Sequence, residues 1–209
     1  MFTSFGHIFA QSSAKTKALT FREFQILKKK HKQSDDDCIN TAKYTVAQRL
    51  RMYPFSKAIK VIAVSFPAME RNHQVFIDDN STPAAAPDTA YEAGLHVLDG
   101  KLNYCSIIEA KTLTADQISR LTDIIYNTAY RKKGFNIENH YKCFNPRNAV
   151  LFYDEKGKIF DYVEICFECK NAESLSENLD VGTLCNQKYD MLKKFLTNVG
   201  LVHGTEILD

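Results

Sequence analysis

The sequence predicts an α+β fold, in which hairpins build an antiparallel sheet and helices pack on one face of that sheet. Two hairpin turns are recognisable, one at Asp99 and Gly100 and one at residues 154–157. Amphipathic helical patterns precede, separate and follow these hairpins, which gives the order α, α, β, ββ, α, ββ, α. Because hairpins outnumber strand–helix–strand crossovers, we expect the strands to run antiparallel and the helices to gather on one side.

Composition limits the classes of protein to consider. With 209 residues, 44% of them apolar and 25% charged, the chain suits one soluble globular core. It lacks the long apolar run, about 18 residues or more, that a membrane-spanning helix requires. A net charge of +2, spread along the chain, gives no reason to expect a nucleic-acid partner. We therefore predict a single α+β domain over residues 20–209.

The first residues have the pattern of the end of a secretory signal peptide. The chain is apolar up to Ala10 and then becomes small, polar and basic, with a cleavage position between Ala10 and Gln11. A basic segment before the apolar stretch is missing, so residues 1–19 are interpreted either as a signal-peptide remnant or as a disordered arm. Export predicts a periplasmic or secreted protein, and a cytoplasmic location is the alternative.

The first half of the chain is predicted to contain two helices, a strand and a hairpin. Apolar spacing predicts helices over residues 20–32 and 38–53, the second capped by Asp37 and ended by Pro54. A run rich in β-branched residues predicts a strand at 57–66. Residues 78–91 are a polar, proline-containing loop, and the hairpin around Asp99 and Gly100 follows.

The second half is predicted as helix, hairpin and helix. Thr114 and Gln117 form a capping box that begins a helix, and Gly134 ends it. Strands at residues 148–154 and 158–168 are joined by a type I turn with Gly157 in the left-handed conformation. The final amphipathic helix begins at Cys185 and is ended by Gly200.

Three of the six cysteines lie on this second hairpin. If Asp154 faces Lys158 across the turn, the same register places Cys143 opposite Cys169. Facing residues of an antiparallel pair are close enough for a disulfide, so we predict a Cys143–Cys169 bridge. Cys166 points to the other side of the sheet, because side chains alternate along a strand.

Other chemistry remains open at the same residues. A zinc site could use Cys166 and Cys169, with Cys143 and His140 completing four ligands, although a strand-like segment does not converge two thiolates. Arg147 could lower the pKa of a nearby thiol and make it reactive, or bind an anion. The plainest alternative is that these cysteines are small buried apolar residues.

The remaining three cysteines receive separate interpretations. Cys185 begins the last helix, where the positive end of the helix dipole favours a reactive thiol, and it is also a disulfide candidate with Cys166. Cys105 is predicted to be buried in a strand. Cys38 begins a predicted helix, and its partner is left undecided.

The cysteine hairpin carries a resemblance to known sequences. The matching residues form C-x-x-P-R-N, then a hairpin, then I-C-F-x-C: Cys143, Pro146, Arg147, Asn148, Ile165, Cys166, Phe167 and Cys169. This pattern is similar to an uncharacterised family of Bacteroidota-like bacterial proteins, many of them exported. Members often have histidine where this chain has Asn148, so a role for that histidine as base or ligand does not carry over. The resemblance implies export and no activity.

The predicted function is therefore a binding or envelope-associated module, exported and stabilised by its cysteine hairpin. The sequence contains no G-x-G-x-x-G, P-loop or G-x-S-x-G motif that would indicate a nucleotide site or a serine nucleophile. The alternative is a thiol- or zinc-dependent enzyme centred on His140, Cys143, Cys166 and Cys169. Zinc is the one cofactor considered, and the expected partner is a protein or a small molecule.

Overall fold

The structure is a computed structural model that describes residues 38–69, 93–131, 143–176, 178–179, 181–182 and 185–206. All of these residues belong to one compact unit. The predicted N-terminal segment 1–19, the helix at 20–32 and the loop at 78–91 lie outside the described residues. The domain limits of 20–209 therefore stay a prediction.

The main sheet confirms the predicted α+β fold. It has five antiparallel strands in the order β5-β2-β7-β8-β9; β7–β8 and β8–β9 are hairpins, whereas β2 pairs with two strands that are distant in sequence. Its strands are β2 (Lys60–Ser65), β5 (Glu109–Thr112), β7 (Asn148–Tyr153), β8 (Ile159–Cys166) and β9 (Asn171–Ser174). Two smaller sheets pair β1 (Cys38–Asn40) with β6 (Thr128–Tyr130), and β3 (Val97–Leu98) with β4 (Lys101–Leu102).

The helices of the main core lie on one face of this sheet, as predicted. In the described ranges the helices are α1 (Val46–Leu50), α2 (Ala115–Asn127) and α3 (Asn186–Asn198). The buried side chains of α2 and α3 pack against alternate residues of β2, β7 and β8, among them Leu121, Ile125, Leu192, Leu196, Ala63, Val150 and Val163. The opposite face buries Val64 and Leu151 beneath the β3–β4 hairpin. Both faces of the sheet are therefore covered by apolar side chains.

The helix predicted over residues 38–53 is wrong at its N-terminal end. Residues 38–40 form β1, which pairs antiparallel with β6. Ala42 then takes a φ of 46° and donates its N–H to the side chain of Asn40, which breaks any continuous helix. The five-residue α1 instead begins at a Thr45–Gln48 capping box. Pairing with a strand that is distant in sequence overrides the helical apolar pattern.

Helix α2 begins as predicted and ends earlier than predicted. Thr114 and Gln117 form the expected capping box. The helix ends at Asn127 and not at Gly134, because the chain passes directly into β6. The side chain of Asn127 accepts a hydrogen bond from the N–H of Tyr44 and donates one to the carbonyl of Tyr44. These two bonds hold the segment after β1 against the C-terminal end of α2.

The β7–β8 turn has the predicted geometry. Gly157 has a φ of 72°, and its N–H donates to the carbonyl of Asp154 over 2.9 Å. The predicted register holds only next to the turn, where Tyr153 pairs with Ile159. Phe160 is then an extra residue in β8, so Phe152 pairs with Asp161. This bulge shifts the rest of the ladder by one residue and invalidates the predicted facing of Cys143 and Cys169.

Candidate functional site

The chain reverses direction where the sequence predicts a continuing strand. β8 ends at Cys166, and residues 167–170 form a tight turn into β9. The N–H of Lys170 points to the carbonyl of Phe167, and Cys166 pairs with Asn171 to close the new hairpin. Lys170 takes a φ of 46°, a left-handed conformation that usually signals glycine or asparagine. The lack of glycine here explains why the turn is not recognisable from the sequence.

This turn brings three thiols together, and we name Cys143, Cys166 and Cys169 the thiol cluster. The backbone N–H of Cys169 donates to Sγ of Cys166, with 3.2 Å between the two atoms. The thiols of Cys143 and Cys166 both interact with the thiol of Cys169 and help to raise its pKa. The backbone N–H of Asn145 also bonds to the sulfur of Cys169. Cys169 is therefore the central member of the cluster.

Burial separates the three thiols into two kinds. Cys166 and Cys169 are each 1% exposed, whereas Cys143 is exposed to solvent. Burial, followed by the hydrogen bonds from the two neighbouring thiols, raises the pKa of Cys169 to about 12. Cys169 is consequently protonated at neutral pH, and Cys143 is the member that a reagent in solution reaches first.

The predicted Cys143–Cys169 disulfide is not formed in the structure, where both residues are free thiols. The two thiols nevertheless lie close enough for Cys143 to contribute to the raised pKa of Cys169. The contact arises from the turn after Cys166 and not from a continuous ladder, which ends at Asn148 and Ile165. A Cys143–Cys169 disulfide thus stays a prediction, and it now depends on the turn after Cys166 and not on the register of the β7–β8 ladder.

A disulfide joins Cys38 of β1 to Cys185, so the predicted pairing of Cys185 with Cys166 is wrong. The Cα atoms of the bonded residues are 5.8 Å apart, and Cys185, at the N-terminal cap of α3, is fully buried. Cys38 lies near α3 because β1 pairs with β6, which directly follows α2. The bridge spans 147 residues of sequence, a separation for which chain entropy predicts about 5 kcal/mol of stabilisation.

The predicted zinc ligands do not assemble into a metal site in the part of the chain that the structure describes. Among those residues, no three or more His, Cys, Asp or Glu side chains are arranged to hold an ion. His140, the proposed fourth ligand, lies outside the described residues. Zinc binding by Cys143, Cys166 and Cys169 therefore stays a prediction that rests on the sequence.

Arg147 contacts the turn through an acidic side chain. Its Nη1 lies 2.5 Å from Oε1 of Glu168, within the turn itself. Burial and the neighbouring thiols are the main causes that raise the pKa of Cys169. Arg147 therefore stabilises the turn through its ion pair with Glu168. The described contacts do not support the prediction that Arg147 lowers the pKa of a thiol.

Asn148 of β7 lies against the C-terminal segment of the described chain. Its side chain is fully buried, and its Nδ2 donates to the carbonyl of His203 over 3.0 Å. Its Oδ1 has no hydrogen-bond partner among the described residues and lies against Gly204. Asn148 therefore anchors the C-terminal segment to the sheet, which is a structural role.

Sequence reasoning missed an acidic pair beside the cluster. Glu164 of β8 and Glu173 of β9 face each other directly across the ladder. Burial, and then the charge of Glu173, raises the pKa of Glu164 to about 7. The side chain of Glu164 is half-buried. The pairing could not be found from the sequence, because β9 itself was not predicted.

A groove between α2 and α3 is a second feature without a sequence signal. It encloses about 290 Å³ between Ile124 of α2 and Met191, Phe195 and Val199 of α3. Polar and cationic side chains complete its lining: Gln117, Arg120, Lys194 and Asn198. Met191 is exposed although it is apolar. The groove can therefore accept an apolar ligand group with negative charge at its edge.

Cys105 differs from its predicted environment. It lies in a single 3₁₀ turn, Tyr104–Ser106, and its thiol is exposed. The expected strand is interrupted because the side chain of Asn103 accepts a hydrogen bond from the N–H of Cys105. Cys105 is thus a free thiol outside the thiol cluster.

The fold and site define a small globular α+β domain with a Cys38–Cys185 disulfide and a cluster of three free thiols. None of the helices in the described ranges is long and apolar enough to cross a membrane. Comparison of the chain with protein-family models, curated proteins and solved structures finds no match. The function is therefore argued from the geometry of these residues.

Proposed function

We propose that the protein is an exported binding module, periplasmic or secreted and associated with the bacterial envelope. The Cys38–Cys185 disulfide supports the compartment, because such bonds form and persist where the surroundings are oxidising. The N-terminal sequence pattern and the similarity to an exported Bacteroidota-like family support the same location. In this proposal the cysteines stabilise the fold, as their burial at positions 166, 169 and 185 favours.

The groove between α2 and α3 is the observation that carries the binding role. Its volume, about 290 Å³, is at the lower limit for a pocket that encloses a small molecule. An open groove between two helices instead suits a few apolar side chains of an amphipathic helix. We expect two such anchors to lie over Ile124 and Val199.

Charge at the groove selects the kind of partner. Arg120 and Lys194 contribute positive charge to the lining, and Arg120 is steadied by Asp116 one turn earlier at 2.6 Å. An acidic amphipathic segment of a partner protein would place its carboxylates beside these cations. A basic segment of the same apolar pattern would be repelled, so the groove discriminates by charge.

Peptide binding tests this role directly. The probes are a helical peptide with leucine at positions i and i+4 among glutamates, and the same peptide with lysines in place of the glutamates. We expect the acidic peptide to bind the oxidised full chain and Lys194→Glu to weaken it about tenfold, as loss of a rim charge pair implies. Lys156→Glu, on the exposed β7–β8 turn, is the matched control and should leave the affinity unchanged. Absence of binding, or equal weakening by both variants, would contradict the binding role.

Location is tested in the native organism by fractionation with a tagged chain. Recovery in the periplasm, at the cell surface or in the medium supports the proposal. Recovery in the cytoplasm with Cys38 and Cys185 reduced would refute export.

A second candidate is a thiol- or zinc-dependent enzyme, favoured by the meeting of three thiols at one turn. Metal analysis of protein purified without chelators separates it from the binding module. One zinc per chain, released when Cys143 or Cys166 is replaced by serine, would favour the enzyme or a metal-stabilised site. Metal-free protein with a full Cys38–Cys185 bridge supports the binding module.

A further inference from the structure

The thiol cluster has the arrangement that disulfide exchange requires. Exchange needs one sulfur that can be reached by two others, so that a bond to one can be replaced by a bond to the next. The N–H of Cys169 donates to Sγ of Cys166 over 3.2 Å, and the thiols of Cys143 and Cys166 both lie close enough to the thiol of Cys169 to interact with it. We propose that Cys169 is the shared sulfur of a redox site, which forms a disulfide alternately with Cys143 and with Cys166. This goes beyond the binding role and does not depend on it.

Exposure assigns an order to the three residues. Cys143 is open to solvent, whereas Cys166 and Cys169 are almost completely buried. Two contacts stabilise the turn that carries the buried thiols: the Arg147–Glu168 ion pair and the hydrogen bond from the N–H of Cys169 to Sγ of Cys166. An oxidant from solution therefore meets Cys143 first, and the two buried thiols complete the reaction.

The oxidant that fits this entry is a small-molecule disulfide. The Cys143 thiolate attacks one sulfur of the disulfide, forms a mixed disulfide and releases the first small thiol. Cys169 then attacks Sγ of Cys143, and its proton passes to the departing small thiolate; the Cys143–Cys169 bond forms and the second small thiol is released. Two protein thiols are thereby oxidised and one small disulfide is reduced to two thiols.

The third cysteine allows an internal transfer. Cys166 can attack Sγ of Cys169, which forms the Cys166–Cys169 bond and returns Cys143 as a thiol. No further oxidant is consumed, because one disulfide replaces another. The oxidised site thus stores its disulfide in the buried C-x-x-C segment and leaves Cys143 able to react again.

The test uses the purified full chain with its Cys38–Cys185 bridge intact and oxidised glutathione as the probe. After acid quenching and alkylation, mass spectrometry of peptides maps every disulfide. In the unaltered chain we expect an internal bond of Cys169 to Cys143 or Cys166, with no glutathione retained on Cys143. Cys166→Ser should trap the Cys143–Cys169 bond, and Cys143→Ser should oxidise at least tenfold more slowly.

Two further variants complete the test. Cys169→Ser should retain glutathione on Cys143, because the shared sulfur is missing. Cys105→Ser, which removes an exposed thiol outside the cluster, should behave as the unaltered chain. If Cys169→Ser does not fold, as judged by circular dichroism, the Cys143→Ser and Cys166→Ser results decide. Glutathione stably retained on Cys143 of the unaltered chain, or unchanged oxidation in Cys143→Ser, would overturn the proposal while leaving the binding role intact.

Discussion

The N–H of Cys169 donates a hydrogen bond to Sγ of Cys166 over 3.2 Å, across a turn that contains no glycine. This contact exists because Lys170 adopts a φ of 46° and sends the chain back into β9. The turn converts a C-x-x-C segment from a strand, whose side chains alternate, into a corner where the sulfurs converge. The position of one left-handed residue therefore determines the candidate site.

Lys170→Gly is expected to stabilise the protein by about 0.5–1 kcal/mol. Glycine removes the steric penalty of the left-handed backbone, which exceeds the entropy that glycine adds to the unfolded chain. Urea denaturation measures the change in the free energy of unfolding. The matched control is Lys156→Gly in the β7–β8 turn, whose φ is not positive, and it should be neutral or destabilising. Equal effects of the two substitutions would contradict the assigned turn.

Gly182→Ala is expected to destabilise the protein by about 2 kcal/mol or more, the sum of backbone strain and a steric clash. Gly182 has a φ of 68°, and an added Cβ would overlap the carbonyl oxygen of Ile125. That oxygen also accepts a hydrogen bond from the buried Nζ of Lys188 over 2.8 Å, so it is not free to move away.

Gly157→Ala is the control for this clash, because Gly157 has nearly the same φ, 72°, and nothing within 4 Å of the added Cβ. It should cost about 1 kcal/mol, from backbone strain alone. Thermal or urea unfolding compares the two variants. If Gly182→Ala is no more destabilising than Gly157→Ala, the packing of this segment against α2 is wrong.

Stability is expected to fall as pH rises from about 4.5 to about 7, because of Glu164. The folded-state pKa of Glu164 is raised from its ordinary value of 4.5 to about 7 by burial and by Glu173. The folded protein thus binds the proton more tightly than the unfolded chain, and this contribution is lost as pH rises through 7. Solvent access to the half-buried carboxyl limits the effect to about 1–2 kcal/mol.

Glu164→Gln tests this dependence because it imitates the protonated acid at every pH. We expect the variant to lose this part of the pH dependence and to be more stable than the unaltered chain above pH 7. Glu155→Gln, on the exposed β7–β8 turn, should leave the profile unchanged. A Glu164→Gln profile that follows that of the unaltered chain would contradict the raised pKa of Glu164 and its pairing with Glu173.

Local signals predicted much of the fold correctly. The capping box at Thr114, the left-handed Gly157 and the apolar stripe of α3 each specify their element within a few residues, and the structure has all three. The errors concern pairing between distant segments. Residues 38–40 have a helical apolar pattern but form a strand, because they pair with β6. No local pattern in the sequence predicts that pairing.

The sequence indicated which cysteines belong to the candidate site, but not the turn and the bulge that bring them together. Cys143 and Cys169 do meet, yet the bulge at Phe160 and the turn at Lys170 bring this about, and neither has a sequence signature. The partner of Cys185 could not be chosen, because Cys38 approaches it only through the β1–β6 pairing. Register and long-range pairing, which depend on the whole fold, are what the sequence alone leaves open.

The Cys38–Cys185 bridge is the central claim, since it links β1 to the start of α3 and supports the proposed oxidising compartment. The direct measurement is peptide mapping of protein taken from its native organism, alkylated under denaturing conditions before any reductant is added. We predict a linked pair of peptides containing Cys38 and Cys185 in nearly every molecule. Recovery of both cysteines as alkylated thiols, with the protein folded, would contradict the claim.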